Sequence, residues 1–180
     1  MTDAMTLARP AAYGVLTEPA TLRIERRLPG PVERVWAYLT DGELRRRWLA
    51  SGDMPLEPGA SFVLTWRNDD LTDPPGARPP GFGESHGMTC RVLAVEAPVR
   101  LVITWGSASE VAFDLAASDG EVVLTITHRR VPDRGVLLNV SSGWHAPLDV
   151  LAARLSETEP VPFWDRWTGL RAEYEQRFPA

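Results

Sequence analysis

Lysine is absent. All nineteen basic residues are arginine, which excludes chemistry that runs through a Schiff-base lysine or a P-loop lysine. The arginine bias itself reads as a compositional trait of the source genome. Cysteine occurs once, at Cys90. That excludes an intrachain disulfide and a cysteine-rich zinc site. No apolar run of 18 residues exists to span a bilayer, and the opening MTDAMTLARPAAYG lacks the apolar stretch of a signal peptide. A cytoplasmic protein without membrane insertion is expected. Positive charge is not in excess: 24 acidic residues against 19 basic ones leave a net charge of −5, which argues against nucleic acid as a partner. No internal repeat and no low-complexity tract is found.

The chain has 180 residues, enough for one domain with appendages and for a core that needs no staples. Apolar residues at 44% and charged residues at 24% are ordinary for a globular protein. The compositional oddity is seven tryptophans, at 36, 48, 66, 105, 144, 164 and 167. Indoles carry large buried area and seek a partner for the ring N–H, so a cluster of them is either plain core or a cavity lining.

Along the chain, residues 1–19 show no period and read as a flexible arm. Residues 20–28 alternate, with Leu22, Ile24 and Leu28 on one face of a strand. Arg26 falls on that same apolar face. It pairs with a structural acid, binds a carboxylate ligand, or is turned outward by a bulge. Pro31 opens a helix whose stripe is Val32, Val35, Trp36 and Leu39. Asp41 caps a second short helix with Leu44 and Trp48 inward. A strand follows with Phe62, Leu64 and Trp66 on one side. Residues 68–87 hold four prolines and four glycines and read as a long mobile loop. Four more strands end on EVVLTITHRR, where His128 stays in register with Leu124 and Ile126. From Asn139 the period is helical: Trp144, Leu148, Leu151 and Leu155 form one stripe, which Pro160 and Pro162 end. The last helix carries Phe163, Trp164, Trp167, Leu170 and Tyr174. This extension, 159–180, either folds back on the sheet, the preferred reading, or forms a dimer surface. Hairpin-joined strands make an antiparallel sheet, and helix 139–157 is the one element long enough to cover it.

Several patterns in this order resemble the SRPBCC (START-like, Bet v 1-like) superfamily, and within it the branch named after the C-terminal domain of the activator of the Hsp90 ATPase. They are Pro31, Val35, Trp36, Leu39, Thr40 and Asp41, with Trp48 after them; Arg100, Leu101, Val102 and Trp105; Asp119 and Gly120 leading to His128; and Gly143, Trp144, Leu148 and Leu151. The resemblance covers roughly residues 14–158, with the domain itself placed at 20–158. It implies an α+β helix-grip fold: a curved antiparallel sheet around a long C-terminal helix, two short helices after the first strand, and a deep apolar cavity. The superfamily includes lipid and hormone carriers, polyketide cyclases or aromatases, and bacterial proteins of unassigned role. Eukaryotic Hsp90 activators also carry a separate N-terminal domain, missing here, so a co-chaperone role is not favoured.

The expected function is binding of a small hydrophobic or amphipathic ligand between helix and sheet. The candidate ligand-binding residues are Arg26, Trp48, Trp66, His86, Trp105, Phe113, His128, Trp144 and Leu148. His128 is also the weak candidate for catalysis, by polarising a carbonyl or relaying a proton. A cyclase-, aromatase- or hydrolase-like enzyme is one alternative, which a pairing of His128 with Arg26 or with an inward Glu110 would favour. A protein-interaction module is the other. His145 is expected on the exposed side of the long helix, and Cys90 as a small core residue. No cofactor is expected, and no metal, because the histidines show no HxH or HxxxH spacing. A homodimer is left open.

Overall fold

The computed structural model of the protein describes residues 13–180. Seven antiparallel strands form one sheet in the order β1-β2-β7-β6-β5-β4-β3. In chain order these are β1 (Val15–Glu18), β2 (Thr21–Pro29), β3 (Ser61–Trp66), β4 (His86–Glu96), β5 (Arg100–Trp105), β6 (Ser109–Ser118) and β7 (Glu121–Arg129). Helices α1 (Val32–Thr40) and α2 (Gly42–Arg45) follow β2, and α3 (Arg134–Ser156) and α4 (Phe163–Arg177) close the chain. Within the expected arm, residues 15–18 form β1; the expectation for residues 1–12 lies outside the described residues.

β2 keeps a strict inside–outside alternation and pairs with β7 without interruption from Leu22↔His128 to Pro29↔Glu121. Regular register therefore carries Arg26 to the buried face, and the outward bulge is ruled out. α1 buries Val35, Trp36, Tyr38 and Leu39. The Asp41 carboxylate accepts the N–H groups of Glu43 and Leu44 at 2.8 and 3.2 Å and starts α2. α2 is a single turn, so Trp48 lies beyond it. The Arg45 guanidinium ties this corner together by donating to the carbonyls of Leu39, Thr40, Ala50 and Gly52. A buried guanidinium has to spend its donors on fixed acceptors, and four backbone carbonyls meet that need.

α3 begins a turn earlier than the apolar period suggests, because Asp133 accepts the Val136 N–H at 2.9 Å and caps it. The stripe Trp144, Leu148, Leu151 and Leu155 is buried as expected. The opposite side of α3 is buried too, since α4 folds back on it with Phe163, Trp164, Trp167, Leu170 and Tyr174 inward. The extension thus lies on α3 rather than on the sheet. Ser141 and Ser142, inside this sandwich, satisfy their hydroxyls on the carbonyls of Leu137 and Leu138.

The proline-rich loop is fastened, contrary to its reading as mobile. The Trp164 indole N–H donates to Asp69 at 2.7 Å and the Trp164 backbone N–H to the Pro75 carbonyl at 2.9 Å. Asp69 also meets Arg78 at 2.9 Å, and the Phe163 N–H donates to the Thr72 hydroxyl at 2.9 Å. α4 supplies partners that a local reading of residues 68–87 does not contain.

Candidate functional site

A cavity of about 450 Å³ opens between the β3–β5 end of the sheet, α3, α4 and the tip of the loop. Strand pairing builds its sheet-side wall: Trp66 lies opposite His86 on the β3–β4 ladder, and Trp105 ends the neighbouring β5. The Trp66 and Trp105 rings meet edge to face at 5.5 Å, and Trp105 lies 4.8 Å from Trp144 of α3. On the far side, the loop sets Phe82 at 4.9 Å from both Trp164 and Trp167. Edge-to-face and tilted ring pairs of this kind fix ring planes as well as bury area. The polar atoms at the wall come from Asn68, Ser85, His86 and Asn139, and no aspartate, glutamate or arginine among the described residues lines the space.

Of the residues expected to bind ligand, Trp66, His86, Trp105 and Trp144 meet at this cavity. Phe113 stands behind the wall, 5.7 Å from Trp144. Trp48 is buried in the corner beneath α1, its indole N–H donated to the Tyr38 carbonyl at 2.8 Å. Between Trp48, Trp105 and Phe113 only about 10 Å³ stays empty, roughly the room of one water. Leu148 is fully buried core. The cavity is thus displaced toward the loop and α4, and the corner between α1, α2 and the sheet is closely packed. Phe82, Met88, Gly143, Pro147, Phe163 and Trp167 also line it. Phe163 and Trp167 were visible as an apolar stripe, but nothing local marks it as facing the same space as Trp66.

His128 is buried behind the Trp105–Trp144 pair, with its ring 5.8 Å from Trp105. The Trp144 indole N–H donates to its Nδ1 at 3.1 Å. That bond makes Nδ1 the acceptor and places the neutral ring's proton on Nε2, which is buried with no hydrogen-bond partner among the described residues. Burial lowers the pKa of His128 from 6.5 to about 4. The residue therefore stands as a neutral support of the indole wall. The pairs that would favour catalysis do not form: Arg26 bonds Asp149, and Glu110 meets Arg129 and Arg130 at 3.7 and 3.5 Å.

Arg26 of β2 reaches another face of α3. It is 8% exposed and bonds Asp149 at 2.9 Å, and Arg166 of α4 bonds the other oxygen of the same carboxylate at 2.8 Å. His145, expected outside, is 2% exposed: its Nδ1 is 2.9 Å from the Tyr174 hydroxyl, and its Nε2 is 3.8 Å from Asp149. Burial lowers its pKa to about 4, with Asp149 opposing and Arg26, Arg166 and Arg177 adding to the shift. The Tyr174 hydroxyl also accepts the Gly14 N–H at 2.7 Å, and burial raises its pKa to about 12. These groups clamp β2, α3 and α4 together. Arg26 and Asp149 border a separate surface cleft beside residues 158–163.

Cys90 is buried, and burial raises its thiol to about 11, which suits a core residue rather than a nucleophile. Among the described residues, no cluster of three or more histidine, cysteine or acidic side chains is placed to hold a metal ion. No helix among them is long and apolar enough to cross a membrane.

An antiparallel sheet closed on a C-terminal helix, with an aromatic-lined space beside that helix, defines the helix-grip class of ligand-binding folds. The sequence model described as Activator of Hsp90 ATPase homolog 1-like protein matches residues 29–156. The chain belongs to that family. Among solved structures it is similar to the protein of gene BPP1335 from Bordetella parapertussis, with 38% identity, a TM-score of 0.78, and 95% of this chain and 93% of the other covered. It is also similar to CalU16 from Micromonospora echinospora, at 25% identity and TM-score 0.65 over 87% and 86% of the two chains. Protein MLL2253 from Mesorhizobium loti aligns at 25% identity and TM-score 0.61 over 77% and 98%. No curated protein matches the sequence.

Proposed function

We propose that the protein binds an uncharged, ring-bearing small molecule in the cavity between Trp66, Trp105, Trp144 and Trp167. The observation that carries this reading is a space of about 450 Å³ walled by aromatic rings from sheet, helices and loop, with no aspartate, glutamate or arginine among the described residues on its lining. Volumes of that order suit drug-sized ligands, and apolar walls with a few neutral polar groups are typical of such sites. A buried carboxylate without a cation is strongly disfavoured. Neutral ring systems are therefore preferred over fatty acids, which narrows the hydrophobic or amphipathic ligand expected from the sequence.

Titration with the neutral probe N-phenyl-1-naphthylamine tests this. Its fluorescence should rise on binding, naphthalene should compete it out, and dodecanoate should compete at least ten-fold less well. Trp105→Ala should weaken probe binding while the protein stays folded. Absence of a fluorescence rise, or equal competition by dodecanoate, would overturn the reading. The enzyme alternative has no comparable support: among the described residues, the buried polar side-chain atom without a partner behind the wall is His128 Nε2, and burial alone, with no neighbouring charge, accounts for the shift of that histidine.

A further inference from the structure

α3 carries a proline in its interior, Pro147. A proline nitrogen bears no hydrogen, so the carbonyl four residues earlier loses the donor that closes an ordinary helical turn. That carbonyl belongs to Gly143. Gly143 and Pro147 both line the aromatic cavity. A methyl group built on Gly143 would meet no atom within 4 Å, so the backbone there borders open space with no side chain of its own to cover it. The proline ring also crowds the carbonyl it faces and tilts it away from the helix axis. Two features of one helical turn therefore converge: a backbone acceptor stripped of its partner, and a residue too small to screen it. On either side stand Val140 and Trp144, which donate nothing to the space, since the Trp144 indole N–H is spent on His128.

We infer that the Gly143 carbonyl is a ligand-recognition point, and that the ring-bearing molecule bound in the cavity carries a hydrogen-bond donor, a phenol-type hydroxyl being the fitting group. The inference rests on the cavity being the ligand site. It adds that selectivity comes from the backbone of α3 rather than from a titratable side chain. A carbonyl in a low-dielectric wall discriminates well between donor and non-donor ligands, because a ligand without a donor leaves it unsatisfied.

The test uses two ligands, 2-naphthol and 2-methoxynaphthalene, on the wild-type chain and on Pro147→Ala. The variant supplies the missing N–H, which closes on the Gly143 carbonyl and occupies it. The preference for naphthol over its methyl ether should fall about five-fold, the worth of one hydrogen bond; Pro147 lines the cavity, so the ratio of the two affinities, not either affinity alone, is the readout. In the wild-type chain, the carbonyl carbon resonance of Gly143 should move downfield with 2-naphthol and stay in place with 2-methoxynaphthalene; this readout needs no variant. An unchanged preference in Pro147→Ala, a parallel loss for both ligands, or an unmoved Gly143 carbonyl resonance would overturn the inference and leave the cavity reading standing. Failure of both ligands to bind the wild-type chain would overturn the cavity reading itself, and this inference with it.

Discussion

Two faces of α3 are built in opposite ways. On one, Asp149 lies between Arg26 and Arg166, with His145 and Tyr174 beside them. Every charge there has an opposite charge in contact, and the groups join β2 to the C-terminal helices. On the other, Gly143, Trp144 and Pro147 face a space of about 450 Å³ lined by no aspartate, glutamate or arginine among the described residues. The contrast separates two uses of buried polarity. Charges that find each other lock elements together, whereas the neutral wall borders open space, which our proposal gives to a ligand. Arg26 attracts notice in the sequence because a cation on an apolar strand face invites a ligand; in the structure it pairs with Asp149 of α3.

The largest expected effect is acid sensitivity, to which each face contributes one histidine. His128 and His145 each fall from 6.5 to about 4 on folding. Between those values the unfolded chain binds protons that the native state refuses, so stability is complete above pH 6.5 and drains away as the pH falls toward 4. At ~1.4 kcal/mol per unit, each histidine contributes up to about 3 kcal/mol to that loss. Urea midpoints at pH 7, 5.5 and 4 should fall steadily, and His145→Gln should remove about half of the slope. A flat profile would break the assignment of both residues as buried neutral groups. Asp149→Ala comes next. It removes the carboxylate shared by Arg26 and Arg166, and since Asp149 is 35% exposed the loss should be about 2–3 kcal/mol, under the range for a fully buried pair. Ligand affinity should hold within two-fold; collapse of binding with stability intact would reverse the roles of the two faces. Trp144→Phe touches both. It removes the donor to His128 and should lower stability by about 1–2 kcal/mol, together with a several-fold loss of probe affinity in the same titration. His86→Ala, at the exposed mouth of the cavity, is the smallest. Its thermal midpoint should move by about 0.5 kcal/mol equivalent or less, with affinity down two- to three-fold.

Much of the fold was legible because the signals were local. The alternation of β2, β5, β6 and β7, the Asp119–Gly120 turn and the stripe from Trp144 to Leu155 all depend on neighbours in sequence. β1 escaped because its four residues are all exposed on the sheet edge and carry no pattern. The start of α3 was misplaced because the Asp133 cap precedes the apolar period. His145 was misread because a helix covered by the sheet on one side and by α4 on another buries residues outside its single expected stripe. The candidate site was legible only in part for the same reason. Trp66, His86, Trp105 and Trp144 sit on elements whose faces alternation reveals. Phe82 and Trp167 reach the cavity through the docking of the loop on α4, a long-range arrangement with no local signature. Trp48 and Phe113 face inward as expected, but the interior beneath them is packed nearly solid, and side-chain volume alone does not tell a filled core from a hollow one.

The most direct measurement follows the seven indole N–H resonances of the 15N-labelled protein while naphthalene is added. Trp66, Trp105, Trp144 and Trp167 should shift together and saturate, with Trp36 and Trp48 unmoved. Saturating shifts at Trp48 with the other four still, or no shift at any indole, would contradict a ligand cavity bounded by α3, the β3–β5 end of the sheet and α4.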